Sequence, residues 1–149
     1  MDWMLMPLRR YAEFSGRSRR MEYWMFALLN VIVMFVITML MFAGGFSMSA
    51  MESGAPPEAP GILFWLGAGL LGIYVLGIIV PSIAVIIRRL HDRDMSGWWY
   101  LGFIVLSMIP IVGAIAGIAM LVIFCLPGTP GANRFGPDPK DPNSAEVFA

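Results

Sequence analysis

Residues Arg88 to Trp99, R-R-L-H-D-R-D-M-S-G-W-W, form a short charged island between two long uncharged runs. How both runs sit follows from it. Arg88, Arg89 and Arg93 supply its positive charge, His91 is the only histidine of the chain, and Trp98 and Trp99 open the next apolar run. Loops rich in Lys and Arg stay on the cytoplasmic side of a membrane, and tryptophan gathers at the boundary between lipid and water. Residues 88–97 therefore read as a cytoplasmic turn between membrane segments.

The composition agrees. Of 149 residues, 58% are hydrophobic and 13% charged, with a mean hydropathy of +0.75. A soluble surface carries about 25% charged residues. The chain reads as an all-α integral membrane protein, a small polytopic helical bundle forming one domain over 1–149. Lys plus Arg balance Asp plus Glu at 10 each, which argues against nucleic acid as a partner. Cys125 stands alone in an apolar run, so it forms no intramolecular disulfide, and it reads as a small apolar residue.

Working outward from the turn, residues 62–87 carry no charge and form a span, with small side chains at Ala68, Gly69, Gly72 and Gly77 where another helix could approach. Pro81 predicts a kink there, with Ser82 placed to repair the lost backbone bond. Residues 23–46 form the first span, with Asn30 and Thr38 as its polar groups. Between the spans, residues 47–61 are rich in small residues and proline and contain two glutamates but no Lys or Arg, which predicts an exposed outer loop. At the amino end, residues 1–22 place Met4, Leu8 and Tyr11 at helical spacing beside Arg9 and Arg10, with Pro7 limiting the length. That predicts a short interfacial segment rather than a cleaved signal peptide.

Residues 98–126 admit two readings. They exceed one span of about 20 residues and fall short of two. One long kinked span fits, and so does a helical hairpin turning at Pro110-Ile111-Val112-Gly113. Gly113 and Gly117 form a G-x-x-x-G pair, a helix-packing surface. Residues 127–149 are a Pro/Gly-rich tail in which Asn133, Arg134 and Phe135 could hold turns. Positive charge outside the spans lies at Arg9, Arg10, Arg17, Arg19 and Arg20, in the 88–97 turn, and at Arg134 and Lys140. The amino terminus is therefore expected in the cytoplasm. A single third span would send the tail across the membrane, and a hairpin would return it.

The stretches Tyr11 to Trp24, Arg88 to Asp92 with Ser96 to Trp99, and Gly128 to Pro139 together resemble the signature segments of a bacterial inner-membrane family, the YhaH/YhaI-like proteins or domain of unknown function 805. The resemblance implies a small multi-pass protein of the plasma membrane and no assigned activity. It departs in a longer Ala/Pro/Glu-rich outer loop and in the residues after Pro139. If the three signature segments share one face, the carboxyl terminus returns to the cytoplasm and the hairpin is favoured. Arg17, Arg19, Arg20, Glu22, Arg88, Arg89, His91, Asp92, Asn133, Arg134 and Asp138 would then meet at headgroup level as a polar cap. Such a cap is a candidate seat for an anionic phospholipid or a membrane-protein partner, a second copy included. The plainer reading is that these arginines anchor helix ends and pair with nearby acids.

No enzyme constellation is visible. The chain has one His and one Cys, no metal-ligand spacing, no nucleophile motif and no cofactor fingerprint. His91 and Asp92 diverge as helical neighbours. Ionisable groups are absent from the spans, which disfavours an autonomous ion path. The expectation is a lipid- or partner-binding membrane module using the glycine faces (Gly69, Gly72, Gly113, Gly117) and the arginine-rich cap; the alternative is a small oligomeric channel or transporter component lined by Asn30, Thr38, Ser82 and Ser107.

Overall fold

The computed structural model describes residues 2–45 and 60–141. Among these the chain forms five helices and no strand: α1 (Asp2–Arg9), α2 (Arg20–Gly45), α3 (Ile62–His91), α4 (Trp98–Ser107) and α5 (Val112–Cys125). The loop read over 47–61 lies outside the described residues save for Pro60 and Gly61, as does the end of the tail, 142–149. Two compact units result, Met1–Phe26 with Val80–Ala149, and Ala27–Ile79.

Helices α2 and α3 are long and apolar enough to cross a membrane. Where no water is present to take backbone hydrogen bonds, a helix satisfies every one internally. Both helices are apolar around most of their circumference, as a lipid-facing helix should be. In the Ala27–Ile79 unit, Val31 and Phe35 on α2 and Ile73 and Leu76 on α3 are largely exposed, a surface that water would not tolerate at this extent. Tyr74 donates its hydroxyl hydrogen to Asn30 Oδ1 at 2.8 Å, so these polar groups satisfy one another. The close approach in this unit is at Gly67, where an added Cβ would stand 2.5 Å from Met41 Cγ. Gly69 and Gly72 have nothing within 4 Å among the described residues. At about 100° per residue they point away from the Gly67 face.

Helix α3 runs through Pro81 and ends later than the charge pattern suggests, so Arg88 and Arg89 lie in its last turn and not in a loop. Arginine is a good helix former, and a cation suits a helix carboxyl end. The helix closes on Asp94, whose φ is +58°. The Met95 N–H donates to Leu90 O and the Asp94 N–H to His91 O, both at 3.0 Å, the paired bonds of a Schellman ending with aspartate in the position that usually takes glycine.

Residues 98–125 are two helices, α4 and α5, packed on each other and joined through Met108–Ile111. Ile111 has φ +66° and ψ −55°, and the Val112 N–H donates to Pro110 O at 2.7 Å. That is a γ-turn of the rare, strained kind, and unusual for a β-branched residue. Gly113 is required here: a Cβ on it would stand 2.7 Å from Ser107 O. Gly117 has nothing within reach, so of the G-x-x-x-G pair only Gly113 makes a close approach within the chain. Thermal unfolding in detergent should accordingly separate three substitutions. Gly113→Ala should destabilise by roughly 1–3 kcal/mol, Gly117→Ala should be neutral or gain up to about 1 kcal/mol from helix propensity, and Ile111→Gly should stabilise by roughly 1–3 kcal/mol through relief of the turn. Equal melting temperatures for the two Gly→Ala variants would contradict the packed turn.

Candidate functional site

The unit formed by Met1–Phe26 and Val80–Ala149 buries charge beside apolar side chains such as Val85, Leu90 and Phe124. Arg88 and Arg89 are 0% exposed, Glu22 2%, Arg17 4% and Asp92 4%. Ions out of water are costly unless paired and hydrogen-bonded, and each of these is. Arg17 donates through Nε to Asp92 Oδ1 at 3.0 Å, with Nη2 also 3.0 Å from that oxygen. Arg89, one helical turn before Asp92, donates to its other oxygen, Oδ2. Arg88 donates to Glu22 Oε1 at 2.9 Å, so the start of α2 is tied to the end of α3.

Three guanidiniums against two carboxylates leave one excess positive charge, and main-chain carbonyls absorb it. Arg17 also reaches Gly131 O and Thr129 O, each at 2.6 Å. Arg88 reaches Glu13 O at 2.5 Å and Arg10 O at 3.2 Å. Arg89 reaches Phe124 O at 3.2 Å and Leu126 O. Arg20 adds a bond to Cys125 O at 3.1 Å, and Arg93 one to Pro127 O. The carbonyls at the end of α5, which have no partner within the helix and carry the negative end of its dipole, are thus capped by arginines from the ends of α2 and α3.

The tail closes over this cluster. Thr129 donates its N–H at 2.8 Å and its hydroxyl at 3.2 Å to Asp92 O. Asn133 donates to His91 O at 2.9 Å, and its Oδ1 accepts the Phe135 N–H at 2.9 Å. The Phe135 ring stacks on His91 with centroids 3.9 Å apart, and His91 Nδ1 lies 3.2 Å from Gly16 O. Gly128 passes so close to the Asp92 carboxylate that any Cβ would collide with it.

Of the residues singled out from sequence, Arg17, Glu22, Arg88, Arg89 and Asp92 form the buried cluster, with His91 and Asn133 beside it. Arg134 is exposed and pairs with Asp94 at 3.1 Å. Asp138 serves its own loop, accepting from the Lys140 N–H at 2.9 Å and the Gly131 N–H at 3.0 Å. Arg19 stands apart, its guanidinium 5.2 Å from the centre of the Trp3 ring. The terminal nitrogens of Arg17, Arg88 and Arg89 are spent inside the protein, so these side chains cannot all face one phosphate.

Trp3 takes part without any sequence signal that singles it out, whereas Arg10 belongs to the basic amino-terminal segment and Gly128 and Thr129 open the third signature stretch. A cavity of about 260 Å³ beside α1 is lined by Trp3, Met6, Arg10, Arg17, Arg19, Glu22 and Pro139. At its edge Arg10 donates to both oxygens of Glu13, at 2.6 and 2.7 Å, which holds the Glu13 carboxyl below the usual range. Among the described residues no cluster of three or more His, Cys, Asp or Glu could hold a metal ion.

Asp92→Ala should strand Arg17 and Arg89 without a carboxylate and cost about 3–5 kcal/mol, read as lost thermal stability, whereas Arg134→Ala at the exposed pair should cost less than about 1 kcal/mol. Comparable losses would contradict the buried clasp. The N–H groups of Lys140 and Gly131 hold Asp138 below the ordinary carboxylate range. A depressed carboxylate stabilises above its unfolded pKa, about 3.9, and that contribution disappears as pH falls through the lower folded value. The amide resonances of Gly131 and Lys140 should therefore hold steady down to about pH 4 and move only below it; a transition above that pH would contradict the loop geometry.

Residues 11–137 match the family model described as protein of unknown function (DUF805). The chain is 42% identical over 144 residues to inner membrane protein YhaH of Escherichia coli (strain K12), covering 94% of this chain and 98% of that protein. It is 39% identical over 140 residues to inner membrane protein YhaI of the same strain, covering 94% and 97%. No solved structure matches it. With the family model spanning most of its length and its apolar helices long enough to cross a bilayer, this chain belongs to the DUF805 family as an integral protein of the bacterial inner membrane.

Proposed function

We propose that this protein is a membrane interaction module that seats the headgroup of an anionic phospholipid in the cavity beside α1, at the cytoplasmic face of the inner membrane. The lining carries the reading: its carboxylate, Glu22, already accepts from Arg88, Arg17 is held by Asp92 and Arg10 by Glu13, and Arg19 enters the cavity wall with an aromatic partner in Trp3. A phosphodiester supplies a negative partner for Arg19, whose guanidinium matches it with paired hydrogen bonds. Trp3 and Met6 give the same cavity an apolar side for the glycerol and upper acyl chain. Helix α1 exposes Leu5 and Leu8, as an interfacial helix lying among headgroups would. The concentration of Arg in residues 1–22 and at the end of α3 supports the cytoplasmic placement. Arg19 is the group best able to respond, because among the described residues its guanidinium meets an aromatic face and no carboxylate.

Native mass spectrometry of the purified protein, titrated with phosphatidylglycerol and phosphatidylcholine, tests this directly. Arg19→Ala should weaken phosphatidylglycerol retention roughly five-fold, the effect of about 1 kcal/mol per basic residue at an anionic surface, while Arg134→Ala leaves it unchanged. Equal retention of both lipids by the wild type, or undiminished retention by Arg19→Ala, would refute the headgroup seat.

A further inference from the structure

The helices α4 and α5 have 10 and 14 residues, which at 1.5 Å per residue gives about 15 and about 21 Å. The hydrocarbon core of a bilayer is about 30 Å thick. Neither arm crosses it, and α4 matches one leaflet. Both ends of the pair are held at the polar cluster: α4 begins a few residues after Asp94, and the final carbonyls of α5 are capped by Arg20 and Arg89. The hairpin thus leaves the arginine cluster and returns to it.

The chemistry of the tip decides what surrounds it. Met108 is 79% exposed and Ile111 80%, and the connection is Met108-Ile109-Pro110-Ile111, with none of the Asn, Asp or Gly that a water-exposed turn favours. Four backbone donors here turn inward. Met108 donates to Val105 O at 3.2 Å, Ile109 to Leu106 O at 3.1 Å, Val112 to Pro110 O at 2.7 Å and Gly113 to Ile109 O at 2.7 Å. Pro110 has no N–H to satisfy. The Ser107 hydroxyl donates to Ile104 O at 2.6 Å. The γ-turn at Ile111 keeps four neighbouring N–H groups paired within the chain, which fits hydrocarbon, where an unpaired group costs several kcal/mol. At the other end Trp98 and Trp99 are exposed, at the position for headgroup anchoring.

From these features we infer that residues 98–125 are a re-entrant wedge whose occupied surroundings are the acyl chains of one leaflet, the leaflet beside the arginine cluster, with Met108–Ile111 resting near the bilayer midplane. The hairpin displaces lipid from a single leaflet, so this protein engages the bilayer asymmetrically, independently of any headgroup seat.

The experiment places one cysteine in a Cys125→Ser background, at Ile111 or at Met108, with Ser96→Cys as the interface control; Met108, in ordinary helical geometry, serves if Ile111→Cys fails to fold. In sealed vesicles of both orientations, a membrane-impermeant maleimide should label the tip cysteines at least about ten-fold more slowly than Ser96→Cys from either side, as hydrocarbon excludes the reagent and the thiolate. After labelling in detergent with a fluorophore and reconstitution, spin-labelled lipids should quench the tip most strongly when the label sits at the acyl-chain end. Fast tip labelling from the side opposite the Ser96 control would show a full crossing, and fast labelling from the same side would show a hairpin outside the bilayer. A protected tip that no spin-labelled lipid quenches would show protein as the occupant, a second copy included. Any of these three outcomes overturns the wedge.

Discussion

The Asp92 carboxylate accepts Arg17 on one oxygen and Arg89 on the other, while the Asp92 carbonyl takes the N–H and hydroxyl of Thr129. Through this residue the amino-terminal segment, the end of α3 and the tail are held in one place. Burying ions has a large desolvation cost, and a buried pair is poor evidence for net stability by itself. Its value here is geometric. Arg17, Arg88 and Arg89 each need a carboxylate and carbonyls at hydrogen-bond distance, and only one arrangement of the surrounding segments provides them together. The cluster therefore selects an arrangement that apolar contacts, which are non-directional, could not distinguish.

Helix ends impose the second constraint. In a membrane protein each helix must dispose of its terminal carbonyls near lipid, where water is scarce. α3 closes on itself through Asp94 in the left-handed region. α5 cannot, because Pro127 follows Leu126 and the chain leaves in an extended conformation. Its carbonyls accept instead from Arg20 and Arg89, and Arg93 bonds Pro127 O just beyond them. One set of arginines thus neutralises the buried carboxylates and terminates a helix, which explains why the charged residues of a chain with so few are concentrated in three short stretches.

Much of this is readable from residue types. Uncharged runs over 23–46 and 62–87 specify long helices because the backbone in hydrocarbon has no other way to pair within a single segment. The grouping of Arg17, Glu22, Arg88, Arg89 and Asp92 into a polar cap also follows from the resemblance among the signature stretches. What residue types leave open is which guanidinium meets which acceptor. Charge is long-ranged and indifferent to partner identity, so Arg19 and Arg20 look alike in sequence, yet one lies over Trp3 and the other caps α5. Glycine is equally uninformative alone: Gly67 and Gly113 make close approaches, while Gly69, Gly72 and Gly117 make none within the chain.

The sequence by itself determined that this is a helical protein of the membrane, because hydropathy is a property of single residues against lipid and water. Only the tertiary structure decided that residues 98–125 fold back as two short helices and that Arg17, Arg88 and Arg89 are consumed inside the protein. The arginine cluster depends on distances between segments up to 114 positions apart, and such distances exist only once the backbone has been laid out.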